Sequence, residues 1–353
     1  MTSARERYEG KETLVTGAFG FLGGHVCEAL CGLGARVTAL DIQTGPERPS
    51  LLNKFRGRVA IETLDMTDAA AVRALIASRR FSRIFHFAAY ATVIERAARN
   101  PYETIGSNTM AWVNLLEAVR ASGAEPEAVL LASTDKVYGD SGGEEYDEER
   151  TPLKGIGVYD AAKLAADVFS RTYHDVYGLP TVTLRLCNIF GPFDFNTEFR
   201  LVPRTLEGLY GCEPMRAPEL YADSLGHERD YLYVSDAVRA FLLAASEPAC
   251  RGETFNLKGV RNIGTPEMLE ALLRTAAELE RGIDAERCRA LEAVRVRRTE
   301  RPSDLRVVVI SKQHVSGRKF REAVGFVPEV DFAEGLRRTV RFYRSHFLDG
   351  AGA

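Results

Sequence analysis

The stretch VTGAFGFLGGH, residues 15–25, sets Gly17, Gly20 and Gly23 between an apolar run that predicts a buried strand and a pattern that predicts a helix. Glycine permits a tight strand-to-helix turn and lets a phosphate approach the backbone N–H groups at the helix N-terminus. A lone glycine pattern is weak evidence, but this one opens the first strand–helix–strand unit of the chain. The stretch therefore predicts a dinucleotide-binding turn.

The second predicted strand, RVTALD, ends in Asp41, about 20 residues beyond the glycine turn. A carboxylate at this place accepts hydrogen bonds from the adenosine ribose and repels a 2′-phosphate, so it predicts NAD rather than NADP. Asp65 and Met66 follow the third predicted strand and are candidates to flank the adenine. An Asp at the end of a strand is also often a helix cap, and that alternative stays open for Asp65.

Outward from this turn, short apolar runs alternate with helical patterns as far as Asn188. One predicted helix covers residues 159–177 and ends at Gly178. Repeated strand–helix–strand units predict an α/β fold with a Rossmann-type doubly wound parallel sheet and a smaller mixed α/β substrate-binding lobe. We expect an NAD-binding domain at residues 1–187, to which 231–258 return, and a lobe at 188–230 and 259–353.

The composition excludes several classes of protein. Of the 353 residues, 45% are hydrophobic and 27% charged, and the net charge of −3 predicts no nucleic-acid partner. The charged start, MTSARERYEGKE, and the lack of an apolar run of roughly 18 residues predict neither a signal peptide nor a membrane span. Six cysteines without zinc-site spacing predict reduced thiols, no metal and a cytoplasmic location.

Nine segments carry a family resemblance: TGAFGFLG, HFAA, NLLEA, STDKVYG, YDAAK, NIFGP, RDYLYVSD, FNL and RPSD. In order and spacing they resemble the extended short-chain dehydrogenase/reductase family, which contains nucleotide-sugar epimerases and dehydratases. The resemblance covers nearly the whole chain. It implies NAD as a tightly held, recycled cofactor, a nucleotide-diphosphate sugar as substrate, and a homodimer through a four-helix bundle, with the helices around Trp112 and Phe169 as candidates. The cofactor-binding residues that we expect are Gly17, Phe19, Gly20, Phe21, Leu22, Gly23, Asp41, Ile42, Asp65, Met66, Ala88, Ala89, Tyr159 and Lys163.

Tyr159 and Lys163 match the family's catalytic pair and project from one face of a predicted helix, because they are four residues apart. A neighbouring ammonium stabilises a phenolate, so we expect Lys163 to lower the pKa of Tyr159. The phenolate would take a proton from a sugar hydroxyl while hydride leaves the same carbon for nicotinamide. Thr134 would hold that hydroxyl, and Ser133 is a neighbouring candidate.

Asp135 and Lys136 follow Thr134 directly. In the family that the chain resembles, simple 4-epimerases tend to carry small or hydroxyl residues here, and thymidine-linked glucose 4,6-dehydratases carry Asp-Glu. Asp-Lys is typical of cytidine-linked glucose 4,6-dehydratases and of a group acting on UDP-N-acetylglucosamine. The resemblance implies that Asp135 is the acid for the departing C6 hydroxyl and Lys136 the base at C5.

Two other interpretations of this pair stay open. Asp135 and Lys136 could form a surface ion pair on a loop. Cytidine-linked paratose 2-epimerases are also similar here, and they share the Lys without eliminating water.

The resemblance also implies the residues that bind the sugar nucleotide. Arginines in RDYLYVSD and RPSD match those that bind the diphosphate, whose oxygens suit a guanidinium fork. GPFDF and RDYLYV depart from the cytidine-linked pattern, which puts the base and the hexose in doubt. His86 is expected to pack near the cofactor. The expected substrate residues are Tyr90, Thr92, Asn188, Arg200, Leu201, Pro203, Arg229 and Arg301.

These observations predict an NAD-dependent nucleotide-sugar 4,6-dehydratase, with a CDP-glucose-like substrate favoured. A nucleotide-sugar epimerase acting at C4 or C2 is the alternative. A third hypothesis is an NAD-binding regulatory protein without turnover, which the intact set of Thr134, Tyr159 and Lys163 disfavours.

Overall fold

The computed structural model describes residues 4–90, 94–140, 142–300 and 310–350. Its strands are β1 (Glu12–Thr16), β2 (Arg36–Asp41), β3 (Ala60–Thr63), β4 (Arg83–His86), β5 (Ala128–Thr134), β6 (Thr181–Leu186), β7 (Asn188–Phe190), β8 (Glu219–Tyr221), β9 (Glu228–Tyr233), β10 (Thr254–Leu257), β11 (Arg261–Gly264) and β12 (Arg297–Thr299). Its α-helices are α1 (Ala4–Tyr8), α2 (Phe21–Gly32), α3 (Ala69–Ser78), α4 (Ile94–Arg99), α5 (Pro101–Ile105), α6 (Ala111–Ser122), α7 (Val158–Tyr177), α8 (Leu201–Tyr210), α9 (Val234–Ser246), α10 (Thr265–Glu280), α11 (Ala285–Ala293), α12 (Arg318–Val324) and α13 (Phe332–Leu348).

Seven strands form one parallel sheet in the order β10-β6-β5-β4-β1-β2-β3. The strand order reverses beside β1, because β2 pairs with one edge of β1 and β4 with the other. This is the doubly wound arrangement that the alternation of strands and helices predicted, and that prediction is confirmed.

Helices cover both faces of the sheet, which explains why the central strands are apolar along their whole length. Val15, Phe85 and Leu130 point to the face covered by α2 and α9. Their strand neighbours, including Leu14 and Val129, point to the face covered by α3, α6 and α7. Successive strand residues therefore supply two separate cores.

A smaller region lies beyond the carboxyl ends of the large sheet. It contains a three-stranded sheet, β11-β9-β7, and the pair β12-β8. Helices α8, α10 and α13 pack together there. Between β9 and β11 the chain passes through α9 and then β10, which pairs with the outer edge of β6.

Helix α7 carries two of the predicted site residues and ends at Gly178, as its sequence predicted. Gly178 takes a left-handed conformation with φ 71° and donates its N–H to the carbonyl of His174. All six cysteines are unpaired, and four of them are buried. In the part of the chain that the structure describes, no helix is long and apolar enough to span a membrane.

Candidate active site

A cavity of about 460 Å³ lies between the carboxyl ends of β1, β4, β5 and β6 and the elements α8 and β9. Open parallel α/β sheets bind their ligands at this edge. Residues that are far apart in the sequence, from the turn after β1 to β9, meet at this cavity. The predicted residues that line the cavity are Gly17, Gly20, Phe21, Leu22, Gly23, Ala89, Ser133, Thr134, Lys136, Tyr159, Lys163, Asn188, Arg200, Leu201, Pro203 and Arg229.

The glycine turn between β1 and α2 has no room for side chains. Gly17 adopts φ +68°, and a Cβ on it would lie 2.6 Å from the backbone nitrogen of Ala88. A Cβ on Gly23 would collide with the carbonyl oxygen of Gly17. Gly20 caps α2 without a side-chain hydrogen bond, so the helix begins with open N–H groups. A diphosphate fits such a cradle, because a close backbone and a helix N-terminus both favour an anion.

Asp41 ends β2 in a nearly fully buried position beside the glycine turn. Its Oδ2 accepts a hydrogen bond of 3.0 Å from the backbone N–H of Phe19. Its Oδ1 accepts one of 2.7 Å from Nη1 of Arg48, a partner that the sequence analysis missed because no pattern marks it. Ile42 is exposed. With the backbone N–H of Gln43, which donates to Oδ1 at 3.4 Å, three donors orient this carboxylate.

The two candidates for the adenine contact lie outside the lining of the cavity. Oδ1 of Asp65 accepts hydrogen bonds of 2.8 Å from the N–H and the hydroxyl of Thr67. Asp65 thus closes a turn ahead of α3, whose own cap is Asp68. The side chain of Met66 packs in the core with residues of α3 and α6. Both residues have a local structural role.

Tyr159 and Lys163 lie on α7 and are both buried. The ammonium of Lys163 donates a hydrogen bond of 2.9 Å to the carbonyl of Ala132, and burial lowers its pKa to about 8. The expectation that the pKa of Tyr159 would be lowered is wrong for this structure. Burial raises the pKa of Tyr159, and the nearby carboxyls of Asp160 and Asp135 add to the rise.

Thr134 and Ser133 differ in the hydrogen bonds of their hydroxyls. The hydroxyl of Ser133 has no hydrogen-bond partner among the described residues, although its proximity lowers the pKa of the buried carboxyl of Asp167. The hydroxyl of Thr134 accepts from the N–H of Lys136 and donates to Oδ1 of Asp135, each at 3.3 Å. Thr134 is therefore linked to the acid and base positions, whereas Ser133 lines the cavity without such a link.

Asp135 opens a 3₁₀ turn at the end of β5 and is only 3% exposed. The interpretation of Asp135 and Lys136 as a surface ion pair is therefore wrong. Burial raises the pKa of Asp135 to about 7, against the opposing effects of Lys136 and Arg229. Burial also lowers the pKa of Lys136, whose Nζ lies 5.5 Å from the ring centroid of Tyr159.

Oδ1 of Asp135 accepts a hydrogen bond of 2.8 Å from Nε2 of Gln313. Gln313 is 1% exposed and lies 178 residues further along the chain. Sequence analysis missed it, and no spacing or motif in the sequence connects the two residues.

Two of the predicted substrate arginines, Arg200 and Arg229, are already engaged with the protein. Arg200 forms an ion pair of 3.2 Å with the buried Asp194. It also donates a hydrogen bond of 2.6 Å to the carbonyl of Ile189. Arg229 donates to the carbonyls of Ile310 and Ser311 at 2.6 and 2.8 Å. Burial raises the pKa of Tyr231, and the nearby amide of Asn188 opposes that rise. Leu201 and Pro203 belong to α8, whereas Thr92 and Arg301 lie outside the described residues.

Three further residues on the side of β4 lie outside the lining of the cavity. Nδ1 of His86 lies 2.8 Å from the hydroxyl of Thr16, and burial lowers the pKa of His86 to about 3, so the ring is neutral. Its ring packs 5.3 Å from that of Trp112, which is fully buried. The carbonyl of Tyr90 accepts a hydrogen bond of 2.7 Å from the side-chain amide of Asn108, and the ring of Tyr90 packs against Arg96.

Comparison with known proteins identifies the family of this chain. A model of the NAD dependent epimerase/dehydratase family matches residues 13–257. A dTDP-glucose 4,6-dehydratase of Xanthomonas campestris pv. campestris is 30% identical over 346 residues, which cover 94% of this chain and 92% of that protein. The structure of DesIV, a dTDP-glucose 4,6-dehydratase from Streptomyces venezuelae with NAD bound, superimposes with a TM-score of 0.79 at 27% identity, over 95% of this chain and 97% of that one. A UDP-glucose 4-epimerase from Thermus thermophilus, in complex with NAD, gives a TM-score of 0.77 at 29% identity, over 94% of this chain and 99% of that one. The chain belongs to the NAD-dependent epimerase/dehydratase family and is an NAD-dependent enzyme of the dehydratase or epimerase type.

Proposed function

We propose that this protein is an NAD-dependent nucleotide-sugar 4,6-dehydratase, which converts a nucleoside-diphosphate hexose to its 4-keto-6-deoxy form. The single observation that carries the proposal is the pair Asp135 and Lys136 at the end of β5. An acid that is to protonate a leaving hydroxyl must hold a proton near neutral pH, and a lysine that acts as a base must be able to lose one. Burial shifts the pKa of both side chains in those directions.

The shared first step of the family's chemistry suits Tyr159, Lys163 and Thr134. Bound NAD supplies a hydride acceptor that later returns the hydride. Thr134 would orient the C4 hydroxyl of the sugar, and the Tyr159 oxygen would receive its proton. With a pKa of about 8, Lys163 remains mostly charged at neutral pH and would offset the charge of the phenolate. Gly17, Gly20, Gly23 and Asp41 would hold the diphosphate and the adenosine ribose.

The elimination would then use the two residues that follow. Lys136 would remove the C5 proton, and Asp135 would transfer its own proton to the C6 oxygen, which leaves as water. Because Asp135 must be protonated, dehydration is expected to slow as the pH rises above about 7, the pKa of this carboxyl. Because Lys136 must be neutral, the rate is also expected to fall towards acidic pH.

A cytidine diphosphate sugar is the favoured substrate. The support is Asp135 followed by Lys136, together with Arg200, Leu201 and Pro203, which resemble the cytidine-linked enzymes and border the cavity. The dehydratase relatives named above act on dTDP-glucose by name, so thymidine is the base to be compared first.

The test is a substrate panel read by mass spectrometry. CDP-, dTDP-, UDP- and GDP-glucose, GDP-mannose and UDP-N-acetylglucosamine are each incubated with the protein and NAD. We expect the loss of one water from CDP-glucose, at a higher rate than from dTDP-glucose. Unchanged mass together with an inverted hydroxyl would instead support an epimerase, the second candidate, which the similarity to UDP-glucose 4-epimerase favours.

We also propose a homodimer. α5 and the π turn Gly106–Met110 pack on α7. These elements leave a row of exposed apolar side chains that a second copy would cover by forming a four-helix bundle. The row consists of Tyr102, Ile105, Met110, Val168, Phe169, Val176 and Tyr177.

Val168→Glu is expected to convert the dimer to a monomer, because a charge would have to be buried without a partner. Light scattering after size-exclusion chromatography measures the mass. Val327→Glu is the matched control, since Val327 is similarly exposed, at 57% against 53%, and lies outside the row. A wild-type protein of monomeric mass would refute the proposed dimer.

A further inference from the structure

Gln313 is a buried amide whose hydrogen-bonding capacity is only partly used. Its Nε2 donates to Oδ1 of Asp135, while its Oε1 has no hydrogen-bond partner among the described residues. Leaving a buried amide oxygen unpaired costs stability. Gln313 also lines the cavity of the candidate active site.

The segment that carries Gln313, residues 310–315, is tied to the protein at several points. We call it the strap. Ser311 donates its N–H and hydroxyl to Oδ2 of Asp140, at 2.9 and 2.7 Å. Val315 donates its N–H to Oδ2 of Asp230 at 3.0 Å. The strap also makes backbone hydrogen bonds with Tyr146 and Glu228, and Arg229 donates to its first two carbonyls.

These contacts come from the loop after β5 and from β9. The backbone of Gln313 therefore has one position relative to Asp135, and only the side-chain torsions of the amide remain to be set. A side chain held in this way can orient a catalytic group with little entropic cost during the reaction.

The two oxygens of Asp135 have different surroundings. Oδ1 accepts from Gln313 and from the hydroxyl of Thr134. Oδ2 accepts no hydrogen bond from any residue that the structure describes. One oxygen is thus used to fix the carboxyl group, and the other has no partner in the described part of the protein. Asp135 itself stands in the chain between Thr134 and Lys136, which both line the cavity.

We propose that Gln313 is the positioning residue of the acid: it holds Asp135 through Oδ1, so that Oδ2 can deliver its proton to the departing hydroxyl of the substrate. This inference rests on the proposed 4,6-dehydratase function. In the step, the O–H bond at Oδ2 breaks, an O–H bond of water forms as the C6–O bond breaks, and the carboxylate remains.

An amide suits both protonation states of the acid. Nε2 donates to Oδ1 in the carboxylate, and with the proton on Oδ2 the carbonyl oxygen Oδ1 of the carboxylic acid accepts the same hydrogen bond. An arginine or a lysine at this position would add a positive charge and hold Asp135 in its charged form.

Other charged and titratable groups also face Asp135, and they bear on its proton affinity. The cations Lys136 and Arg229 favour the carboxylate form of Asp135. Its other titratable neighbours are the acids Asp230, Tyr159 and Cys187. Unlike these five groups, Gln313 does not titrate. Its replacement by another neutral side chain therefore leaves the charge of the site unchanged.

The test replaces Gln313 and measures Asp135 directly. Protein with ¹³C-labelled Asp carboxyls is titrated by NMR, and the Asp135→Asn variant assigns the Asp135 signal. Gln313→Met keeps the volume and removes both hydrogen-bonding groups. Because Nε2 no longer stabilises the carboxylate, the pKa of Asp135 is expected to rise by about one unit from its value of about 7. Gln313→Glu places a second carboxyl at the same distance, so a larger rise is expected.

The kinetic measurement uses the same variants. Gln313→Met is expected to slow water loss about tenfold or more and to move the basic limb of the pH–rate profile upward, because the protonated acid persists to higher pH. Reduction of NAD by the substrate should keep its wild-type rate. Lys312→Met is the matched control, because Lys312 lies on the strap with its side chain 43% exposed and forms an ion pair with Glu228.

An unchanged Asp135 titration in both Gln313 variants, with melting curves like the wild type, would overturn the inference. A shifted titration with an unchanged rate of water loss would overturn the catalytic part. If the wild-type protein releases no water from any sugar of the panel, the proposed function fails. In that case the titration still decides whether Gln313 controls the carboxyl.

Discussion

Asp135→Asn is expected to abolish the 4-keto-6-deoxy product and to leave NAD bound. The change keeps the shape of the side chain, but an amide cannot give a proton to a leaving hydroxyl. General acid catalysis contributes about 10²–10⁴-fold to a rate, so water loss should fall by that factor. The oxidation of the sugar uses Tyr159, so a reduced nicotinamide should accumulate. Mass spectrometry measures the product, and absorbance measures the reduced cofactor.

A matched control is available on α7. Asp175 is an exposed carboxyl that pairs with Arg171, so Asp175→Asn removes a carboxylate outside the cavity. It should keep the wild-type rate. Water loss at the wild-type rate in Asp135→Asn would contradict the assignment of the acid, and with it the argument for a dehydratase over an epimerase.

Tyr159→Phe is expected to stop the reaction one step earlier. Without the phenol oxygen, no group at this position receives the proton of the sugar hydroxyl, so oxidation should slow by about 10²–10⁴-fold. No reduced nicotinamide should appear in a rapid-mixing experiment, and bound NAD should be retained. The loss is expected for a dehydratase and an epimerase alike, because both begin with this oxidation.

Tyr173→Phe is the control for this change. Tyr173 lies on the same helix, and its hydroxyl donates a hydrogen bond of 2.6 Å to Glu117, away from the cavity. Its removal should lower thermal stability slightly and leave the rate of oxidation intact. If Tyr159→Phe reduced NAD at the wild-type rate, another residue would have to be the base.

The structure changes how Tyr159 is understood. The sequence placed Lys163 one helical turn away and suggested a phenol with a lowered pKa. In the structure the ammonium is directed at the carbonyl of Ala132, and burial raises the pKa of the phenol. A phenolate at Tyr159 would therefore need a positive charge close to its oxygen, to offset the effect of burial.

Local sequence patterns were enough to predict the fold class and to propose a place for the site. Strand and helix periodicity, and the three glycines of the first turn, are features of neighbouring residues, and parallel strands bring their carboxyl ends to one edge. In the structure Thr134, Tyr159 and Lys163 line one cavity, and Asp135 follows Thr134 directly.

The surroundings of those residues depend on the tertiary structure. It buried Asp135, paired Arg48 with Asp41, and placed Gln313 against the acid. None of these contacts follows from a local pattern. The pKa of a carboxyl depends on the solvent it loses and on the groups that face it, and for Asp135 one of those groups arrives from 178 residues away.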